Sequence, residues 1–144
     1  MIYKAIQGLP QAHARIKGSK EYPDIRGNVY LYEVYNGTVL LGELMGIPEE
    51  LEKKYGGFFG FHIHEGNVCT GDSQDPFADT KGHYNPEKEE HPRHAGDLPP
   101  VLSNNGTAWM EIYTGRFYPM DVVGRTIVLH EMPDDFKTQP SGDS

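Results

Sequence analysis

Six histidines and one aspartate stand where their side chains could share transition metals. Phe61-His62-Ile63-His64 sets two imidazoles two residues apart. On a strand they project from one face about 6.6 Å apart along the backbone, close enough to reach one metal. Phe61 and Ile63 then face the core. A long segment adds His83, His91, His94 and Asp97 at spacings of 8, 3 and 3, and the run Val122–Glu131 brings His130. These donors are nitrogen and oxygen, with the one thiol, Cys69, standing apart, a set suited to zinc or copper rather than to iron–sulfur clusters or calcium. Histidines in a Pro/Gly-rich loop are also commonly just solvated, and His-x-His arises by chance, so spacing alone leaves both readings open. A four-coordinate zinc beside a copper with four nitrogens needs eight ligand positions. Six histidines and Asp97 fill eight only if one imidazole binds through both ring nitrogens. His83, in the middle, is the natural bridge.

The elements that must carry these residues are short. Seventeen glycines and eleven prolines in 144 residues, about 19% against a usual level near 12%, punctuate the chain at intervals that favour strands. Ala12, Ala14 and Ile16 alternate with His13, Arg15 and Lys17, the period-2 pattern of a half-buried strand. His13, on its polar face, reads as solvated. Val29 and Leu31 interleave with Tyr30 and Tyr32 in a second strand, and Asn36-Gly37 supplies the two φ > 0 residues of a type I′ hairpin into Thr38–Met45. Only Ile47–Gly56 reads as a helix, with Pro48 at its first position and Gly56 as terminator, a short decoration of a loop. Phe59–Glu65, Thr107–Tyr113 and Val122–Glu131 are further β-rich runs. Gly66–Ser103 is polar and aperiodic, and a loop of that length inside a compact domain is usually functional or disordered.

Length and charge bound the rest. A chain of 144 residues makes one domain with one core. Acidic residues outnumber basic ones by 21 − 13 = 8, which argues against nucleic acid and against anionic membrane surfaces as partners. No apolar run approaches the roughly 20 residues of a membrane span, and the first residues lack the pattern of a secretory signal. The chain as given reads as cytoplasmic, or as extracellular or periplasmic if already processed.

Gly60-Phe61-His62-Ile63-His64-Glu65, His83-Tyr84-Asn85-Pro86, His94-Ala95-Gly96-Asp97-Leu98-Pro99 and Gly124-Arg125-Thr126-Ile127-Val128-Leu129-His130-Glu131 resemble, in order, four landmark segments of the copper/zinc superoxide dismutases. The resemblance runs from about Ala12 to the C-terminus and is closest to bacterial members. It implies an all-β fold, a Greek-key barrel or sandwich of immunoglobulin-like architecture with a long metal-binding loop. It implies copper on His62, His64, His83 and His130, which are also the catalytic residues, and zinc on His83, His91, His94 and Asp97. Asp134 matches the family carboxylate that hydrogen-bonds one copper and one zinc histidine, here His62 and His91. The substrate would be superoxide, converted to oxygen and hydrogen peroxide.

Family members continue with a glycine-rich turn, an arginine beside the copper, a second cysteine and a last strand, whereas this sequence is given to Ser144. Residues 1–144 are thus expected to form one such domain, C-terminally incomplete and lacking that strand. None of Arg93, Arg116 and Arg125 matches the family arginine, and activity is expected to suffer. Cys69 is left without its family partner. The alternative reading is a non-catalytic copper- and zinc-binding module of the same fold, and a homo-oligomer or a strand donated in trans is the expected way of covering an open edge.

Overall fold

The alternation in Ala12–Lys17 (β1) places Ile16 inside and His13, Arg15 and Lys17 outside. The structure, a computed structural model, describes residues 2–137. β1 pairs antiparallel with Arg26–Val34 (β2), and β2 with Gly37–Met45 (β3). Val34 faces Gly37 across the ladder, so the hairpin loop is Tyr35–Asn36, with φ of 53° and 57°. The two left-handed residues thus fall one position earlier than the Asn36-Gly37 expected. Gly37 instead opens β3, where a Cβ would run into the backbone carbonyl of Thr114 on the neighbouring strand.

Pro48 also shifts by one: with φ −62° and ψ 138° it precedes the helix Glu49–Tyr55 (α2), which Gly56 ends in the left-handed conformation at φ 72°. Leu51 joins the core, so α2 covers it and is more than a loop decoration. A four-residue helix, Ile2–Ala5 (α1), is too short to show in periodicity.

After Phe58–Phe59 (β4) and Phe61–His64 (β5) the chain enters its long loop, which holds one 3-10 turn at Ala78–Thr80 and ends in Val101–Asn104 (β6). β6 turns through Asn105–Gly106, both at positive φ, into Thr107–Thr114 (β7). A 3-10 turn at Pro119–Val122 leads to Thr126–Leu129 (β8), so only part of Val122–Glu131 is strand. One sheet has the order β1-β2-β3-β7-β6-β4 and the other is β5-β8. β3 lies beside β7 although three strands intervene in sequence, the crossing connection of a Greek key. Gly60 alone separates β4 from β5, so one run passes from sheet to sheet. Val29, Leu31, Leu40, Leu44, Phe59, Phe61, Ile63 and Val101 fill the space between.

Among the described residues β1 and β8 each have one strand partner, and a mainly apolar cleft of about 260 Å³ lies between them, lined by Ile16, Ile25, Leu51, Phe59, Ile127 and Leu129. Cys69, a free thiol, sits at its rim. The expected missing strand concerns sequence after Ser144, and residues 138–144 lie outside the described ones.

Candidate metal centre

All four residues of β5 are buried, and both of its edges are covered. β8 pairs along one, from Phe61 opposite Leu129 to His64 opposite Thr126. The loop lies along the other: Ile63 N donates to Gly96 O (2.9 Å), Tyr84 N to Ile63 O (2.8 Å) and Gly96 N to Tyr84 O (2.8 Å). A Cβ on Gly96 would collide with the Ile63 carbonyl, so this approach requires glycine. It sets Asp97 opposite His62 and His83 opposite His64. Beyond β8 the ladder continues, His130 N donating to Gly60 O at 2.8 Å, which brings His130 back to the same place.

Donor atoms of His62, His64, His83 and His130 lie within 4.8 Å of one another. His64 Nε2 and His130 Nε2 are 3.4 Å apart, and the rings of His62 and His83 stack at 4.1 Å. A second group, His62, His83, His91 and Asp97, is equally compact. His83 Nδ1 is 2.8 Å from Asp97 Oδ1, and His91 Nδ1 is 3.0 Å from Asp97 Oδ2. His94 adjoins this group, its Nδ1 3.2 Å from His83 Nδ1 and 3.3 Å from Asp97 Oδ2. The family resemblance implies His94 in the second set and His62 only in the first; here His62 borders both.

Asp134 spans the groups. Its Oδ2 is 2.7 Å from His62 Nε2 and its Oδ1 2.7 Å from His91 Nε2. A carboxylate accepts, so both rings carry their proton on Nε2 and turn the Nδ1 lone pair inward. His62 Nδ1 is buried with no hydrogen-bond partner among the described residues. Such an atom costs free energy unless something occupies it, and a cation among imidazoles would. The donor set therefore fits copper and zinc.

Protonation points the same way. Burial, then electrostatic interaction with the His83 and His130 rings, push His62 down to about 3, and burial pushes His64 down to about 4 and lowers His94. Burial alone would raise Asp97, but the hydrogen bond with His83 and electrostatic interaction with His91 and His94 outweigh it and hold the carboxyl below its usual range. Asp134 is lowered likewise, by His91, the Phe136 amide and His62 against its burial. At neutral pH His62, His64 and His94 are neutral and both carboxylates charged, the state that binds metal without first losing protons.

The orientation of His64 rests on a residue without a sequence signal. Its Nδ1 is 2.8 Å from the Lys81 carbonyl and 3.4 Å from the Thr80 hydroxyl. Lys81 has φ 61° and ψ −155°, a region essentially reserved for glycine whose use costs on the order of 1–3 kcal/mol. Lys81→Gly keeps the carbonyl and removes the strain, at the expense of a more flexible unfolded chain. It is expected to stabilise the metal-free protein by about 1 kcal/mol, measured by urea unfolding; a destabilised variant would contradict this.

The three arginines weighed in sequence all have partners. Arg93 pairs with Glu89 at 3.3 Å, Arg116 donates to the carbonyls of Pro92 and His94, and Arg125 lies 4.2 Å over the Tyr84 ring. His13 is exposed, stacked on Tyr30 and 2.9 Å from Asn28 Oδ1. No helix among the described residues is long and apolar enough to cross a membrane.

The chain is similar to known proteins over most of its length. Residues 25–144 match the profile of the family described as Copper/zinc superoxide dismutase (SODC). A protein of Aquifex aeolicus (strain VF5) named superoxide dismutase (Cu-Zn) 2 is 28% identical over 149 residues of alignment, covering 93% of this chain and 81% of that one. A Brugia pahangi protein named extracellular superoxide dismutase (Cu-Zn) is 28% identical over 122 residues, 78% of this chain and 56% of its own length.

Proposed function

The chain belongs to the copper/zinc superoxide dismutase family, and from that premise we propose that it disproportionates superoxide to oxygen and hydrogen peroxide. His62 Nδ1, His64 Nε2, His130 and His83 would hold copper; His83 Nδ1, His91, His94 and Asp97 would hold zinc. Bound there, copper would supply a one-electron redox couple and zinc a fixed positive charge beside it. The single observation that carries this reading is the buried His62 Nδ1, without a hydrogen-bond partner among the described residues, at a point where three more imidazoles converge.

The protein's own part is orientation and proton handling. Asp134 holds His62 and His91 in one tautomer, and the Lys81 carbonyl holds the proton of His64 on Nδ1, leaving Nε2 free to donate its lone pair. His83, whose Nδ1 faces Asp97 and His94, would carry a proton on its other ring nitrogen between the two half-reactions. Pulse radiolysis of protein with known copper content tests the proposal. Second-order superoxide decay proportional to bound copper is expected. Copper bound at these histidines with no dismutation would instead favour a metal-binding module.

The cleft between β1 and β8 supports the further reading that a second copy or a donated strand covers these edges, which are unpaired among the described residues. Sedimentation over a range of concentrations checks it, and a monomer throughout would contradict self-association.

A further inference from the structure

Resting on that reading, we propose that Arg116 is a positioning residue for the zinc side of the centre. The turn carrying His91 and His94 is held at its ends: His91 by Asp134, and the residues after His94 by Gly96 on β5. Between them, Arg116 reaches in from the segment after β7. Its Nη1 donates to Pro92 O at 2.9 Å and to His94 O at 3.1 Å, one N–H for each carbonyl.

His94 O also accepts from Asp97 N at 3.0 Å, while His94 N donates to Asp97 Oδ2 at 2.9 Å. The guanidinium therefore closes the outer side of a turn whose inner side presents His91, His94 and Asp97 to one another. A guanidinium is permanently charged and presents its donors in a rigid fork, so it can fix two carbonyls where a lysine ammonium acts as a mobile point.

The clamp has a firm base. Phe117, the next residue, is buried, and its carbonyl accepts from the buried Thr38 hydroxyl of β3 at 2.8 Å. Arg116 N donates to Thr114 Oγ1 at 3.2 Å. Arg116 thus ties the ligand turn to the six-stranded sheet, its side chain bonding backbone carbonyls and not the proposed ligand atoms.

The test compares the parent with Arg116→Ala and Arg116→Lys. Zinc affinity is measured by competition with a chromophoric chelator. Cobalt(II) is substituted at the zinc site and its visible d–d bands recorded, with copper affinity and thermal unfolding of the metal-free proteins alongside. Arg116→Ala is expected to weaken zinc about 10-fold, the lower end of the usual loss when a ligand's outer support is removed. It should also shift the cobalt bands, and leave copper affinity and metal-free unfolding close to the parent. Arg116→Lys should recover part of the affinity. Zinc affinity and cobalt bands unchanged in Arg116→Ala would overturn the proposal while the parent site stands. A loss of zinc that follows an equal loss of copper and of metal-free stability would assign Arg116 to the fold in general and overturn it too. A parent that binds neither zinc nor cobalt would refute the metal-site reading itself, and this proposal with it.

Discussion

Replacing Asp134 by alanine should weaken binding of both copper and zinc by about 10–100-fold, although Asp134 is proposed to touch neither metal. One carboxylate serves a ring in each group, His62 at 2.7 Å and His91 at 2.7 Å. Removing it leaves both Nε2–H groups buried without an acceptor and frees both rings to rotate or change tautomer. Each ring then costs free energy to return to the orientation in which Nδ1 faces inward. Asp134→Asn separates the contributions. Its amide keeps one accepting oxygen, while its NH₂ meets an N–H, so one site should weaken more than the other. Asp135, exposed and accepting from Lys137 N at 2.9 Å, should tolerate the same change. Chelator competition for each metal measures all three variants. Equal affinities in Asp134→Ala and the parent would remove Asp134 from the account.

Acid should destabilise the metal-free protein well above the pH at which ordinary carboxylates protonate. His64 falls from 6.5 to about 4 and His62 to about 3 on folding, with burial the main cause of both. Between these values and 6.5 the unfolded chain binds protons that the folded chain refuses, so stability falls as pH falls through that window. At 1.36 kcal/mol per pK unit, His64 alone removes about 3 kcal/mol by pH 4, and His62 adds to the loss. Asp97 and Asp134 extend it: their carboxyls are lowered, so their contribution is present above the unfolded carboxylate pKa and disappears as pH falls through the folded values. Against a typical domain stability of about 5–15 kcal/mol, that is a large fraction. Urea unfolding of the metal-free protein between pH 7 and pH 4 measures it, and a midpoint that does not move would contradict the burial of uncharged imidazoles. Bound metal should carry stability to lower pH, because it occupies the lone pairs that protons would take.

What could be read from the residues was the alternation, and with it the strands and the inward direction of Phe61 and Ile63. Phe61 and Ile63 are buried as expected, but so are His62 and His64, which a half-buried strand would leave wet. The difference arises because the loop bonded to β5 at Gly96 and Tyr84 sets the His83 and His91 rings against those of His62 and His64, a tertiary event invisible to period-2 counting. The shifted hairpin has the same origin: Gly37 answers to the approach of Thr114, not to the turn. β6 escaped notice because four residues, two of them exposed, carry too little pattern to separate a strand from the loop before it.

Within the site, side-chain chemistry identified residues that the fold brings together, but not how each is aimed. Tautomers depend on partners far away in sequence, such as Asp134 for His62, 72 residues on. Lys81 acts through its carbonyl, and Arg116 acts on carbonyls, so neither the residue type that is held nor its spacing announces the contact. His94 shows the limit in the other direction. Its spacing places it in a ligand set, and the structure sets it at the edge of that set, where a bound ion would have to draw it in.

The central proposal is that His83 would serve two metals at once, through Nδ1 on the side of His94 and Asp97 and through its other ring nitrogen on the side of His62, His64 and His130. Copper is added to the zinc-free and to the zinc-loaded protein, and its visible absorption and electron paramagnetic resonance spectra are recorded at each step. Because a shared imidazole changes the donor strength felt by copper when zinc takes its other nitrogen, the copper spectrum should shift on adding zinc and revert on removing it, with one equivalent of each metal at saturation. A copper spectrum indifferent to zinc would show that His83 does not join the two sites.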